Sequence, residues 1–516
     1  MSKAAPAVQA GSKGWLGKDA MASVVVFLVA LPLCMGVAIA SGVPPTSGLI
    51  TGIIGGLVVG VFAGSPFQVS GPAAGLTVLV WQLVQQHGLP MLGVIVLLAG
   101  LLQLTAGLLK LGQWFRAVSP AVIHGMLAGI GLLILTAQFH VMLDGKPIGK
   151  GIDNLLAIPD AVNRAITGGG APLHALYIGI LSITTMALWG RFAPRKLKML
   201  PAPLIAVVLS VTAAAYFQLK IAYVMVPQNI WSVIQLPTLE NLKHIIDTPI
   251  LIAAVSVAFI ASAETLLCAS AVDQMHQGQR TKYDKELAAQ GLGNTLCGLC
   301  GVLPMTGVIV RSSANIEAGA KTRASAIFHG MWLLLFAAVL PFTLRYIPVS
   351  SLAAVLVFTG YKLAYPKALP KLLEFGKSEV AIAVVTVAVI VGTDLLKGVV
   401  LGLLLSLFKL LYVFSQLDIE CDDDEAGNCT HLRLSGSATL IRLPMLASAL
   451  EQVRPGTEVH VHFENLEYID HACFDLLSNW EKQHEATNGS LVIEWEELSW
   501  KFHQRRSAAQ RSPRKG

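Results

Sequence analysis

Residues Leu251–Met275 read LIAAVSVAFIASAETLLCASAVDQM, and residues Gly293–Gly319 read GNTLCGLCGVLPMTGVIVRSSANIEAG. The first stretch exceeds the roughly 20 residues that cross a bilayer as a helix. It carries one carboxylate, Glu264, near its middle. In the second stretch, Pro304 and Gly307 break an apolar run. A carboxylate at membrane depth is costly and marks a functional position. An apolar run broken by Pro and Gly predicts a half-helix with a free backbone end that can hold a ligand.

Working outward, the chain has 516 residues, 54% hydrophobic and 13% charged, against about 25% charged in soluble domains. From Met21 to Leu143 there is no Asp or Glu, and apart from histidines only Lys110 and Arg116 are basic. This excludes a soluble core and predicts an all-α polytopic membrane protein. The C-terminal part regains charge and alternating patterns. The expected organisation is a cytoplasmic segment over 1–18, a transmembrane domain over 19–415, a small α/β domain over 416–503 and a basic, Ser/Pro-containing tail over 504–516. The run after Lys3, Lys13 and Lys18 leads straight into further apolar sequence, so it is read as a first span rather than a removed signal. The net charge of +6 fits basic cytoplasmic loops and gives no case for nucleic acid. Cys297 and Cys300 have CxxC spacing inside an apolar helix, where small residues serve close packing. His124 and His329 each precede Gly in apolar runs and are read as satisfied packing histidines. No phosphate loop or enzyme constellation is present, so no enzymatic or ATP-driven activity is expected.

Hydropathy gives about fourteen apolar segments, including 20–41, 68–85, 248–273 and 306–317. The third and tenth are short for a crossing and open at Ser70-Gly71-Pro72 and Met305-Thr306-Gly307. Basic residues gather after even-numbered segments, at Lys110 and Arg116, Arg191 to Lys198 (with Arg195 and Lys196), Arg280 to Lys285, and Lys367 to Lys377. Those loops, and with them both termini, are expected on the cytoplasmic side. The loop 140–172 is expected outside and flexible, with Asp394 and Lys397 pairing near the outer surface. Span one has a break at Pro32 and span three opens at Pro72; Glu264 in span eight and Pro304 before span ten have the same separation. Marked positions at equal spacing suggest a repeat, and with seven segments per half the repeat is inverted.

In the soluble part, Pro444–Val453 and Phe474–His484 read as helices, Glu458–Phe463 alternates as a strand, and Ser490–Trp495 reads as a buried strand. Cys421–Glu425 is expected to be a solvated linker. His460 and His462 share one strand face and, lacking a third ligand, are read as solvated.

Four stretches carry a family likeness: Ala30–Leu49 (ALPLCMGVAIASGVPPTSGL), Gln68–Gly75 (QVSGPAAG), Gly278–Asn294 (GQRTKYDKELAAQGLGN), and Gly301–Gly307 (GVLPMTG) followed by Ala314–Arg323 (ANIEAGAKTR). Together they resemble the SulP family of anion transporters, and the C-terminal part resembles a STAS domain. The resemblance implies a fourteen-segment, seven-plus-seven inverted repeat. It implies a core bundle moving against a gate bundle in elevator fashion. It implies a homodimer in the bacterial inner membrane, and a STAS domain open to a cytoplasmic regulator. The anion then sits between the N-termini of half-helices three and ten. That places Ser70, Gly71, Ala73, Ala74, Gly75, Thr306, Gly307, Val308 and Ile309 at the substrate.

Helix N-termini offer unpaired N–H groups and a partial positive charge, so two of them facing one point form an anion site. Small residues let a ligand reach the backbone, although they equally serve helix packing. Glu264 with Cys268, one turn on, is the pair expected to couple a cation. The resemblance implies a hydroxyl where Cys268 stands and another where Ile309 stands. A thiol is a poor sodium ligand, so bound Na+ and protons both stay open as the coupling ion, and no other cofactor is expected. Arg311 can raise the local potential for anions, pair with Glu317 or face the cytoplasmic mouth. The expected substrate is bicarbonate, with sulfate or a C4-dicarboxylate as alternatives; an anion channel is the rival class. In the STAS part no Ser follows Asp470, which argues against a phosphoswitch there.

Overall fold

The structure, a computed structural model, describes residues 14–113, 119–194, 200–225, 230–365, 369–424, 429–463 and 465–493. Expectations resting on Lys3, Lys13, Arg116, Arg195, Lys196, Lys198, Lys367, Glu425, Trp495 and the tail from 504 lie outside those residues. The chain divides into two compact units, Met1–Leu403 and Leu404–Gly516.

The first unit is helical. In order it contains α1 (Gly14–Ala40), α2 (Pro45–Phe62), strand β1 (Ser70–Pro72), α3 (Thr77–His87), α4 (Leu89–Leu108), α5 (Pro120–Met142), α6 (Gly151–Leu156), α7 (Ile158–Gly168), α8 (Gly170–Phe192) and α9 (Ala202–Tyr216). There follow α10 (Thr248–Met275), α11 (Tyr283–Leu299), strand β2 (Met305–Gly307), α12 (Ile309–Glu317), α13 (Ala324–Val339), α14 (Val349–Ala364), α15 (Lys377–Gly392) and α16 (Leu395–Phe414), which runs across the division. Every apolar interval read from the sequence holds one of these helices. Among the described residues seven are long and apolar enough to cross a membrane: α1, α2, α4, α5, α8, α10 and α16. Large apolar side chains such as Ile180, Leu188, Val208, Ile252 and Leu335 point outward. That surface suits lipid, since backbone groups are satisfied within each helix and apolar side chains face the hydrocarbon.

Small residues set which helices touch. A Cβ on Gly298 of α11 would stand 2.2 Å from the Leu97 nitrogen of α4, and one on Gly100 of α4 would stand 2.2 Å from the Thr295 nitrogen. Gly131 of α5 and Gly360 of α14 meet in the same way, each Cβ falling 2.6 Å from the other's carbonyl oxygen. Close backbone approach of this kind is the usual currency of helix association in lipid. Gly298→Val is therefore expected to lower the melting temperature of the detergent-purified protein, with an overpacking cost of about 1–3 kcal/mol. An unchanged melting curve would show that α4 and α11 can separate freely.

Two expectations are corrected here. Pro32 does not interrupt α1, which is helical from Gly14 to Ala40. A proline costs one N–H bond and a clash one turn back, and tight packing of Leu31, Leu33 and Cys34 in the core holds the helix through it. The loop 140–172 is not a flexible connection, because α6 and α7 fill it. Asp153 accepts from the Lys150 nitrogen at 3.2 Å and Asp160 lies in the first turn of α7, placing acids where helix N-termini favour them. Asn154 ties the segment down, its Oδ1 accepting from the Ile148 nitrogen at 2.9 Å. Asp394 and Lys397 do pair, at 2.9 Å.

The second unit carries a sheet of β3 (Leu417–Asp424), β4 (Cys429–Ala438), β5 (Glu458–His462), β6 (Leu466–Ile469) and β7 (Ser490–Val492). Strand order is β3-β4-β5-β7, with β6 also on β4; β3 runs antiparallel and the other pairings are parallel. Helices α17 (Leu443–Glu451) and α18 (His471–Glu485) pack Leu446, Leu450, Cys473 and Leu477 onto Leu432, Leu434, Val459 and Val461. Cys421–Asp424, expected in a linker, is the end of edge strand β3; backbone pairing with β4 outweighs its acidic side chains, which also discourage further strand addition. β6 was not anticipated. Ser490–Val492 is an exposed edge strand rather than a buried one. Asp470 caps α18, its Oδ1 accepting from the Cys473 nitrogen at 2.9 Å. Burial, with the Asp470 carboxylate beside it, pushes the Cys473 thiol up to about 12, leaving it unreactive.

Candidate functional site

Pro304 and Pro72 favour extended backbone and withhold an N–H, and each stands beside a half-helix. The two extended segments pair: β1 and β2 are antiparallel, with Ser70 opposite Gly307, Gly71 opposite Thr306 and Pro72 opposite Met305. Ala73 N donates to the Pro304 carbonyl at 3.3 Å and Val308 N to that of Val69 at 2.9 Å. Residues separated by more than two hundred positions thus start α3 and α12 from one place. Gly307 N donates to Thr265 Oγ1 at 3.2 Å, which fixes this place against α10 next to Glu264.

A cavity of about 60 Å³ opens there, lined by Pro72, Ala74, Glu264 and the run Gly307 to Arg311. Leu33 and Val37 of α1, Leu127 and Ile130 of α5, and Leu356, Thr359 and Leu363 of α14 complete it. First-turn N–H groups have no acceptor in their own helix, and Ile309 and Val310 supply such groups to the lining.

Of the residues singled out in the sequence, Ala74, Glu264, Gly307, Val308 and Ile309 line the cavity. Ser70 is turned away and accepts from Gln290 Nε2 at 2.5 Å. Ala73 is buried and held by its backbone bond, and Thr306 is buried with no close hydrogen bond to its Oγ1 among the described residues. The glycines make room for the protein's own side chains more than for a ligand. A Cβ on Gly75 would stand 2.8 Å and 2.9 Å from the two Glu264 carboxylate oxygens. On Gly71 it would fall 2.1 Å from Arg311 Nη1, and on Gly307 1.9 Å from Gln68 Nε2. Cys268 does not line the cavity; its Sγ lies 3.8 Å from Ser312 Oγ in a small cluster with Phe67 and Val272.

Of the three readings of Arg311, pairing with Glu317 does not hold: Arg311 is 1% exposed and lines the cavity, whereas Glu317 is exposed. Its Nε and Nη1 have no partner among the described residues, as is true of Glu264 Oε2. His329 is buried, but among the described residues neither ring nitrogen has a partner, so it is not the satisfied histidine expected from the sequence.

Glu286, not recognised as important, anchors the loop before β1. Its Oε2 accepts from Gly64 N and Ser65 N at 2.8 Å each, and its Oε1 accepts from Gln68 Nε2 at 3.0 Å and Gln290 Nε2 at 3.1 Å. Asn294, on the same helix, accepts from Met305 N at 2.7 Å and donates to the Met305 carbonyl at 3.0 Å. The run Gly278–Asn294 is therefore the brace of both strands. Its clue in the sequence was an acid and two amides at helical spacing inside an apolar context.

The profile of the sulfate permease family matches residues 16–386. The chain belongs to that family. As a sulfate permease family member it is an anion transporter and not an enzyme. It is 28% identical over 493 residues to the Bacillus subtilis (strain 168) protein named "Putative sulfate transporter YvdB", covering 92% of this chain and 91% of that one. It is 28% identical over 326 residues to the bicarbonate transporter BicA of Synechocystis sp., covering 61% of this chain and 56% of that protein. Among solved structures it resembles the transmembrane domain of a cyanobacterial BicA, with a TM-score of 0.65 at 25% identity, over 75% of this chain and 98% of that one. The murine Slc26a9 anion transporter shares the fold, with a TM-score of 0.77 at 15% identity, over 95% of this chain and 88% of that one.

Proposed function

We propose that this protein is a secondary active transporter that takes up bicarbonate with sodium or protons. The observation that carries the proposal is the cavity at the paired starts of α3 and α12, with a buried arginine and a carboxylate in its lining. Nε and Nη1 of Arg311 have no partner among the described residues; they lie on different edges of the planar guanidinium, and either can donate a charge-assisted hydrogen bond to an oxyanion in the cavity. Glu264 supplies the negative group that a cation or proton can neutralise. The name of the BicA relative supports the choice of bicarbonate; that of YvdB keeps sulfate as the second reading.

In this reading the chain spans the inner membrane fourteen times as a seven-plus-seven inverted repeat. Both termini are cytoplasmic, and the protein works as a homodimer. The bundle that bears β1, β2 and Glu264 moves in elevator fashion against the one that bears α5 and α14. Ser70, Gly71, Ala73, Ala74, Gly75, Thr306, Gly307, Val308 and Ile309 shape the substrate end. Glu264, with Cys268 behind it, forms the coupling side, and the second unit serves as a STAS domain for a cytoplasmic regulator.

Proteoliposomes should take up labelled bicarbonate when an inward sodium gradient or an acidic exterior is imposed, and excess sulfate should compete weakly. Sulfate uptake that excess bicarbonate leaves untouched would overturn the choice of substrate. Equal flux with and without either gradient would favour a channel.

A further inference from the structure

The outer face of the C-terminal sheet carries an arrangement that transport does not use. On β4 and β5, Thr430, Leu432, Val459 and Val461 are buried against the helices, while Cys429, His431, His460 and His462 occupy the opposite face, partly exposed. The parallel register sets His431 opposite His460 and Arg433 opposite His462. A diagonal neighbour on one sheet face lies within reach of a long side chain. His431 Nδ1 accordingly comes to 3.0 Å from His462 Nε2. The His431 ring centroid is 5.2 Å from that of His460 and 5.3 Å from that of His462.

The geometry points to a divalent transition-metal site on this face, with His431 Nδ1 and His462 Nε2 as its first two ligands. A zinc–nitrogen distance of about 2.0–2.1 Å and a tetrahedral angle put two imidazole nitrogens about 3.3 Å apart. The observed 3.0 Å separation needs only a small opening. In the metal-free state one ring N–H lies between these two nitrogens; when a metal binds, that proton passes to the same ring's other nitrogen, leaving a lone pair on His431 Nδ1 and on His462 Nε2 for the ion. His460 is the third candidate ligand. Its Nε2 is 2.9 Å from Glu458 Oε1; a carboxylate holding one ring N–H leaves the other nitrogen as a donor pair for a metal. His460 is 32% exposed, so an ion and its waters can reach it. Imidazole donors favour zinc, nickel and copper over magnesium or calcium.

Neighbouring charge permits a cation. Arg433 on the same face is engaged by Asp422 at 3.3 Å, and Glu458 adds a negative group beside His460. Cys429 Sγ lies 3.9 Å from His431 Nε2. Among the described residues no three side chains already stand as a closed metal cluster. The site is thus an open chelate, two imidazoles wide, that recruits His460 and water on binding.

The test uses the full chain in detergent, with any affinity tag removed, titrated with zinc and separately with nickel by calorimetry. Wild type should bind one ion per chain. His431→Gln and His462→Gln should each weaken binding about tenfold or more, and His460→Gln less, within the range seen when supporting groups of metal sites are lost. Copper(II) added to wild type should show nitrogen hyperfine splitting that the double variant His431→Gln/His462→Gln lacks. Absence of binding by wild type, or equal binding by the double variant, overturns the site. Should the double variant fail to fold, the copper spectrum of wild type decides instead: splitting from fewer than two nitrogens is the overturning result.

Discussion

Proteoliposomes carrying Glu264→Gln are expected to bind the anion yet fail to concentrate it under a sodium or proton gradient. Glutamine keeps the size of the side chain and one acceptor oxygen, so its fit against Gly75 is retained. What it cannot do is change charge. Glu264 is the carboxylate in the cavity lining, and its Oε2 makes no close hydrogen bond among the described residues. Two coupled sites typically share about 1–3 kcal/mol, a five- to 150-fold effect of one ligand on the affinity for the other. That effect should vanish in the variant: the dependence of anion affinity on sodium or pH, clear in wild type, becomes flat. The measurement is the anion half-saturation at several sodium concentrations and pH values in both proteins. Undiminished gradient-driven accumulation by Glu264→Gln would remove Glu264 from coupling altogether.

The second large effect is on folding. Glu286→Ala removes a fully buried acceptor of four hydrogen bonds and strands Gly64 N, Ser65 N and Gln68 Nε2, while Gln290 Nε2 keeps only its bond to Ser70 Oγ. Each stranded buried donor costs about 1–3 kcal/mol. Breaking a buried charged network by deleting one member typically costs about 3–5 kcal/mol in all. A loss of that size consumes much of an ordinary stability margin of about 5–15 kcal/mol. Detergent extracts of Glu286→Ala should give an aggregated profile on size exclusion in place of a single peak. Glu286→Gln should be intermediate, since it keeps one oxygen but turns an amide toward donors. A monodisperse Glu286→Ala protein with an unshifted melting temperature would show that the loop 64–70 is held by other contacts.

Particular residues mark what could be read without coordinates. The fourteen apolar intervals were visible because helix formation in lipid depends on local hydropathy alone. Glu264 and the breaks at Pro72 and Pro304 stood out for a related reason: a charge or an imino acid in an apolar run is an anomaly in one dimension. Arg311 could not be placed, because its three readings differ only in which distant segment it touches. Glu286 looked like one of several charges near a helix start. Its partners are more than two hundred residues away, and only packing of α11 against the 64–70 loop reveals them. The same holds for the histidines, since His431 joins His462 through strand register and not through spacing.

By itself, then, the sequence determined a helical membrane protein with a small α/β appendage, one intramembrane carboxylate and two half-helices, since each rests on local composition and backbone chemistry. Tertiary structure decided that β1 and β2 pair, that the glycines at Gly71, Gly75 and Gly307 make room for Arg311, Glu264 and Gln68, and that Glu286 holds the assembly. These depend on which remote surfaces meet. Such meetings are governed by shape and by buried hydrogen bonds between segments, which no local pattern encodes.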